Sequence, residues 1–126
     1  MRTHLLAALL LVCSPVAPIL PEEDSGAAAK ISFDLSKISP AGLVGPPNGL
    51  RSLAYEFCIP AQASYRAQVQ AIDATVQFYP GSRGRIGCRP DQYLCIGNTH
   101  QVGWRQKLLQ LANLPYIQRI DEAVFE

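Results

Sequence analysis

Residues 53–60, which read LAYEFCIP, alternate between large apolar side chains and small, acidic or sulfur-bearing ones. Side chains two positions apart lie on the same side of an extended chain, so this alternation predicts a half-buried β-strand that Pro60 ends. One side of the strand is expected to face a hydrophobic core, and the other to carry Glu56 and Cys58. The apolar side consists of Leu53, Tyr55, Phe57 and Ile59.

Two helices are predicted downstream of this strand. Residues 61–74 predict the first, because Tyr65, Val69 and Ile72 recur at spacings of four and three and form one apolar stripe. The second is expected after Asn98 or Thr99, either of which suits a helix N-cap. Its apolar stripe and its end are formed by Trp104, Leu108, Leu111, Asn113 and Pro115.

Further strands are predicted on both sides of the helices. Residues 75–79 (TVQFY), 92–96 (QYLCI) and 116–125 have strand composition, the last with a bulge near residues 121–122. Upstream, residues 31–38 (ISFDLSKI) alternate and predict an extra strand, and the glycines and prolines of residues 39–49 predict a loop.

The order of these elements predicts the fold class. Strand, helix, strand, strand, helix and strand form two βαβ units, which indicates an α+β domain with the ferredoxin-like split βαβ plait (βαββαβ), preceded by the extra strand. Both helices are expected on one face of an antiparallel sheet, with the first and third strands at its centre. We assign residues 50–126 to this domain and residues 31–49 to the extra strand and loop. The helix-facing side would also hold Val76, Phe78, Leu94 and Ile96, and the open side Glu56, Cys58, Gln77, Tyr79, Tyr93 and Cys95.

The N-terminus is typical of a targeting segment. Arg2 precedes an apolar run over residues 5–12, followed by small residues and prolines, so residues 1–20 predict a signal peptide or an N-terminal anchor. The run is too short to span a bilayer comfortably. Residues 21–30 (PEEDSGAAAK) predict a linker. We therefore expect an exported protein that contacts a membrane only if this segment stays uncleaved or is lipidated at Cys13.

Composition excludes several classes of protein. The chain has 126 residues, of which 48% are apolar and 17% charged, and its net charge is +1. Such a chain is too apolar to be mostly disordered and too balanced in charge to be a nucleic-acid-binding arm. It also lacks the basic and aromatic signature of RNA-binding plaits, so no nucleic-acid partner is expected.

The cysteines predict at most one disulfide. Removal of the segment with Cys13 leaves Cys58, Cys88 and Cys95, so one thiol must remain unpaired. The preferred pair is Cys58–Cys88, because the plait brings the end of its first strand beside the start of its third, with Cys95 as the free thiol. A Cys58–Cys95 pair and three reduced cysteines remain alternatives.

The most unusual stretch is residues 79–90, YPGSRGRIGCRP, in which Gly81, Gly84 and Gly87 recur at every third position. Glycines let backbone N–H groups converge on an anion, and arginines bind carboxylate or phosphate with planar forks. Arg83, Arg85 and Arg89 supply the positive charge, and the stretch contains no acid. It predicts an anion-binding loop, with a solvated hairpin loop as the alternative.

No other pattern indicates chemistry. Paired Cys-x-x-Cys or His-x-x-x-His spacings are absent, so no metal or other cofactor is expected. His100 is expected at the far end of the sheet from Cys58, which argues against a Cys–His pair. We therefore expect a non-enzymatic binding module that uses the Gly/Arg-rich loop and the open sheet face, including Glu56, Tyr79 and Tyr93, for an anionic ligand or a protein partner. The alternatives are a thiol-dependent redox protein or enzyme using Cys58, Cys88 and Cys95, and an inhibitory module resembling protease propeptides.

Overall fold

The computed structural model describes residues 26–125, which form an α+β fold with two antiparallel sheets. The expected signal or anchor segment, the lipidation at Cys13 and the first part of the linker lie outside the described residues. Within them, no helix is long and apolar enough to cross a membrane. In chain order the elements are a 3-10 helix (Leu35–Lys37), β1 (Leu43–Val44), β2 (Arg51–Ser52), β3 (Ala54–Pro60), α1 (Ala63–Ile72), β4 (Gln77–Pro80), β5 (Gln92–Asn98), α2 (Trp104–Ala112) and β6 (Asp121–Glu122).

The larger sheet has four strands in the order β4-β5-β3-β6. β3 and β5 occupy its centre and pair along their whole length, from Ala54 opposite Asn98 to Pro60 opposite Gln92. β4 flanks β5 and β6 flanks β3, and every neighbouring pair is antiparallel. β1 and β2 form a separate two-stranded sheet.

One face of the larger sheet carries the hydrophobic core. α1 packs against β3 and α2, so the helices cover the face that displays the apolar side chains of β3. The alternation in residues 53–60 therefore predicted the core face of this strand correctly. The fully buried members from β3 and the helices are Tyr55, Phe57, Ile59, Val69, Leu108, Leu111 and Ala112.

The side chains of β5 were predicted on the wrong faces of the sheet. Cys95 lies opposite both Phe57 and Phe78 and is buried in the core, whereas Leu94 lies opposite Cys58 on the second face. Ile96 is likewise opposite Glu56, on the second face. The sequence QYLCI has apolar or sulfur-bearing side chains at both alternating sets of positions, so its pattern does not distinguish the two faces.

The extra N-terminal strand is also absent. Asp34 accepts hydrogen bonds from the backbone N–H and the hydroxyl of Ser36, at 2.9 Å and 2.6 Å, and the chain turns into the 3-10 helix instead of extending. Ile31 forms a single parallel bridge with Ile120. Ala27, from the expected linker, is buried in the same core together with Ile31 and Ile38.

Two boundaries near the C-terminus differ from the prediction. Asn98 accepts a hydrogen bond from the backbone N–H of His100 at 2.7 Å in a tight turn, and α2 begins only at Trp104 after Gly103. The last strand shortens to Asp121–Glu122, the residues expected to form a bulge. Ile117 and Ile120 are both fully buried, and a spacing of three cannot place two side chains on one face of a strand.

A buried hydrogen-bond network joins β3 to the end of α1 and to the segment before α2. The Tyr55 hydroxyl donates to the carboxylate of Asp73 at the end of α1, and burial raises the pKa of this hydroxyl above its usual range. The other carboxylate oxygen of Asp73 accepts from the Thr75 hydroxyl at 2.6 Å and from Gln101 Nε2 at 3.0 Å. A buried carboxylate needs such partners, so the network fixes where α1 ends.

Gly97 makes this network possible, and Gly97→Ala tests it. Gly97 lies opposite Tyr55, and a Cβ at this position would sit 2.4 Å from the Tyr55 ring. The ring cannot move aside without losing its hydrogen bond to Asp73, so we expect a loss of about 1–3 kcal/mol of unfolding free energy. Urea denaturation measures it, with Gly26→Ala as the control because nothing lies within 4 Å of a Cβ there. Equal stability of the two variants would contradict this packing.

Candidate functional site

The second face of the larger sheet is covered by residues 81–91, here called the covering loop. Glu56 is only 5% exposed although it faces away from the helices. Its carboxylate accepts a hydrogen bond of 2.7 Å from the backbone N–H of Ile86 in this loop. The sheet face that was expected to be open is therefore closed at Glu56. The covering loop, which contains most of the Gly/Arg-rich stretch, folds back over it.

A disulfide ties the covering loop to β3. Cys58 and Cys88 are bonded, with their Cα atoms 5.5 Å apart, which confirms the preferred pair, and Cys95 is the free cysteine among the described residues. Inside the loop, the carbonyl of Arg83 accepts hydrogen bonds from the N–H groups of Gly87 at 3.1 Å and Cys88 at 2.7 Å. The loop is thus a compact turn with one covalent attachment to the sheet.

The glycine at the centre of the loop is required by close packing. Gly84 has a φ of +61°, and a Cβ there would lie 2.7 Å from Leu94 Cδ1 and 3.1 Å from Glu56 Oε2. Leu94 and Glu56 are the side chains beneath the loop on β5 and β3. A glycine at position 84 therefore allows both the close approach of the loop to the sheet and the positive φ of the turn.

A shallow pocket of about 170 Å³ lies beside the disulfide. It forms where the covering loop, the start of β5 and the segment before β6 meet. Arg119, from that last segment, donates from Nη2 to the carbonyl of Ile86 at 3.2 Å and so holds the loop from the side. The residues around the pocket include Cys58, Ile86, Gly87, Arg89, Gln92 and Arg119.

The arginines of this region have acidic partners that come from outside the Gly/Arg-rich stretch. Arg89 pairs with Asp91 at 3.2 Å, and Arg119 pairs with Asp121 at 2.9 Å. The Arg89 pair is largely exposed, so it adds little stability and leaves the guanidinium accessible. Arg83, Arg85 and Arg89 all lie at the exposed surface of the loop. The result is an arginine-bearing surface whose charge is partly balanced by neighbouring carboxylates.

The residues expected to share the open face do not form one surface. Tyr79 is exposed on the edge strand β4, where its hydroxyl donates to Gln77 Oε1 at 2.7 Å. Tyr93 lies opposite Ile59 on the core face, with its ring 6.4 Å from that of Phe78. Tyr93 was thus assigned to the wrong face, for the same reason as Leu94, and Glu56 is buried under the loop.

Cys95 is separated from the disulfide by the sheet. It is fully buried on the core face, and burial raises the pKa of its thiol to about 12. Cys58 lies on the opposite face of the neighbouring strand. The three cysteines consequently form no common site. Within residues 26–125, no three His, Cys, Asp or Glu side chains are grouped to hold a metal ion, and His100 is exposed.

Arg119 and Tyr116 are among the pocket residues that the sequence did not indicate. Arg119 is 33 positions from its partner Ile86, and no motif surrounds it. Tyr116 also lines the pocket, and its hydroxyl donates to Gln68 Oε1 at 2.6 Å. Both lie in a segment predicted to be a strand, so only the irregular path of residues 113–120 reveals their place beside the covering loop.

Comparisons with protein-family models, with curated proteins and with solved structures found no match to this chain.

Removal of the disulfide tests how firmly the loop is held. The double substitution Cys58→Ala and Cys88→Ala opens a cross-link between residues 30 positions apart, so we expect a loss of about 3–4 kcal/mol in the chain-entropy description. Urea denaturation measures this loss, and amide hydrogen exchange at Ile86 reports whether the bond to Glu56 survives. A change below about 1 kcal/mol would show that the covalent link adds little to the other contacts.

The burial of Cys95 predicts an unreactive thiol. A thiol with a pKa near 12 is almost entirely protonated at pH 8, and the thiolate is the form that alkylates. Folded protein treated with iodoacetamide at pH 8 is expected to remain unmodified at Cys95, whereas protein in urea reacts. Mass spectrometry distinguishes the two, and rapid alkylation of the folded protein would contradict this assignment.

Proposed function

We propose that this protein is an exported, non-catalytic binding module whose binding surface is the covering loop and the adjacent pocket, and that its ligand presents an anionic group. The observation that carries the proposal is the placement of Arg83, Arg85 and Arg89 on an exposed loop that is anchored beside a pocket. A loop held by a disulfide and two hydrogen bonds loses little entropy on binding, which favours recognition.

The charge arrangement supports an anionic group over a neutral one. Arg89 lines the pocket, and its partner Asp91 is 75% exposed, so an incoming carboxylate can displace a weak pair. Gln92 lines the same pocket, and amide groups also bind carboxylates. These features suit a ligand with one or more carboxylates.

We further infer that the fold is the ferredoxin-like plait. The strand order β4-β5-β3-β6, the antiparallel pairing and the placement of α1 and α2 on one face support it. This arrangement leaves a second sheet face available for a loop, and in this chain the covering loop uses it. The Cys58–Cys88 disulfide supports export, because disulfides persist in oxidising compartments.

The thiol-dependent alternative receives less support. A redox enzyme with three cooperating cysteines needs them within reach of one another, and Cys95 lies across the sheet from the pair. Its burial keeps it protonated at neutral pH.

The proposal is tested with a triple variant and a matched control. Replacing Arg83, Arg85 and Arg89 by alanine removes three loop charges, and replacing Lys37, Arg51 and Arg105 removes three exposed charges elsewhere. We expect the loop variant to bind a tetraglutamate peptide roughly tenfold more weakly, as three contacts of about 0.5 kcal/mol each imply. Isothermal titration calorimetry at fixed salt measures the dissociation constant of the peptide for each variant. Equal weakening in both variants would show that only net charge matters and would refute the proposed surface.

A further inference from the structure

We propose that Cys58 is the sulfur at which this disulfide exchanges with small carboxylate-bearing thiols, which reach it through the pocket beside the covering loop. The two sulfurs differ in access. Cys58 is half-buried and lines the pocket, whereas Cys88 is 1% exposed. A nucleophile from solvent therefore meets Cys58 first, and attack at Cys88 requires the loop to leave the sheet.

The exchange replaces one sulfur–sulfur bond by another. A thiolate from the small thiol forms a new sulfur–sulfur bond to Cys58 Sγ, and the Cys58–Cys88 bond breaks. Its electron pair goes to Cys88 Sγ, which then takes a proton from solvent. Cys88 Sγ lies 3.9 Å from the carbonyl oxygens of both Phe57 and Tyr93, and these acceptors suit the protonated thiol. The product is a mixed disulfide on Cys58 and a buried thiol on Cys88.

The pocket favours thiols that carry carboxylates, a preference that rests on the proposed binding of anionic groups. Arg89 and Arg119 line it together with Cys58, and Gln92 and Gln118 add amide groups. A carboxylate-bearing thiol thus places its charge beside guanidinium groups while its sulfur approaches Cys58. A cationic thiol of similar size meets repulsion at the same position.

The covering loop is expected to stay in place after exchange. The hydrogen bonds from Ile86 to Glu56 and from Arg119 to Ile86 do not involve the disulfide. Cys88 therefore remains close to Cys58 and can displace the small thiol again. The site would carry the adduct reversibly, without unfolding of the domain.

The site of exchange is tested with the oxidised full-length protein and glutathione, a tripeptide thiol with two carboxylates. The reaction is quenched with acid within seconds to stop rearrangement, and peptide mass spectrometry at low pH locates the adduct. We expect about tenfold or more adduct on Cys58 relative to Cys88, and loss of this selectivity in urea, where both sulfurs are accessible. Adduct on Cys88, or equal amounts on both in the folded protein, would overturn the proposal.

The thiol preference is tested by comparing glutathione with cysteamine, a cationic thiol, at equal thiolate concentrations. Glutathione is expected to react faster, and Arg89→Ala to slow it by about 2- to 5-fold, the effect of one surface charge. Arg105→Ala, which removes an exposed charge far along the chain on α2, is expected to leave both rates unchanged. Equal rates for the two thiols would overturn the assigned substrate class.

Titration with S-methylglutathione, which cannot exchange, separates this inference from the proposed function. If this compound binds and the substitutions Arg83→Ala, Arg85→Ala and Arg89→Ala weaken its binding, the anion-binding surface is supported. That support is independent of any chemistry at sulfur. Absence of binding together with adduct formation on Cys58 would refute the anion-binding surface, and the thiol preference with it, while the location of exchange would stand.

Discussion

The attachment of the covering loop to β3 is the constraint on which the second face of the larger sheet depends. β3 and β5 are central strands, and their second face displays Leu94 and Ile96, which water would otherwise contact. The loop covers this face through the Cys58–Cys88 disulfide and the hydrogen bond between Ile86 and the Glu56 carboxylate. A glycine at position 84 allows the close approach. Without this attachment Leu94 and the Glu56 carboxylate would face water.

The burial of Glu56 illustrates how the loop and the sheet depend on each other. A carboxyl group placed under a loop is costly unless its oxygens accept hydrogen bonds. The N–H of Ile86 supplies one, and it is available because residues 83–88 form a turn whose internal hydrogen bonds use other groups. The turn therefore orients the N–H donor of Ile86, and the bond to the Glu56 carboxylate holds the turn against β3. Cys58 and Cys88 lie two residues after Glu56 and Ile86 respectively, so their disulfide joins the same two segments.

The candidate site is a consequence of this arrangement. The pocket lies beside Cys58, between the loop and the segment that carries Tyr116 and Arg119, and Arg119 bridges to the loop at Ile86. The arginines of the loop were visible in the sequence, but their neighbours were not. Asp91 follows the Gly/Arg-rich stretch and pairs with Arg89, and Asp121 of β6 pairs with Arg119 beside the pocket. The binding that we propose at this surface therefore depends on which arginines remain accessible as well as on their charge.

Local periodicity and the order of elements were enough to predict the strand over β3, both α-helices and the strands β4 and β5 that flank the covering loop. They also made Cys58–Cys88 the preferred disulfide, with other pairings left open. Its alternation over residues 31–38 was overridden by the side chain of Asp34, and its pattern in β5 was compatible with either face. The facing of Tyr93 and Cys95 toward the core, the burial of Glu56 and the bond from Arg119 to the loop became visible only in the folded chain. These outcomes depend on contacts between distant segments, and the QYLCI pattern of β5 carries no alternation that could reveal which of its side chains face the core.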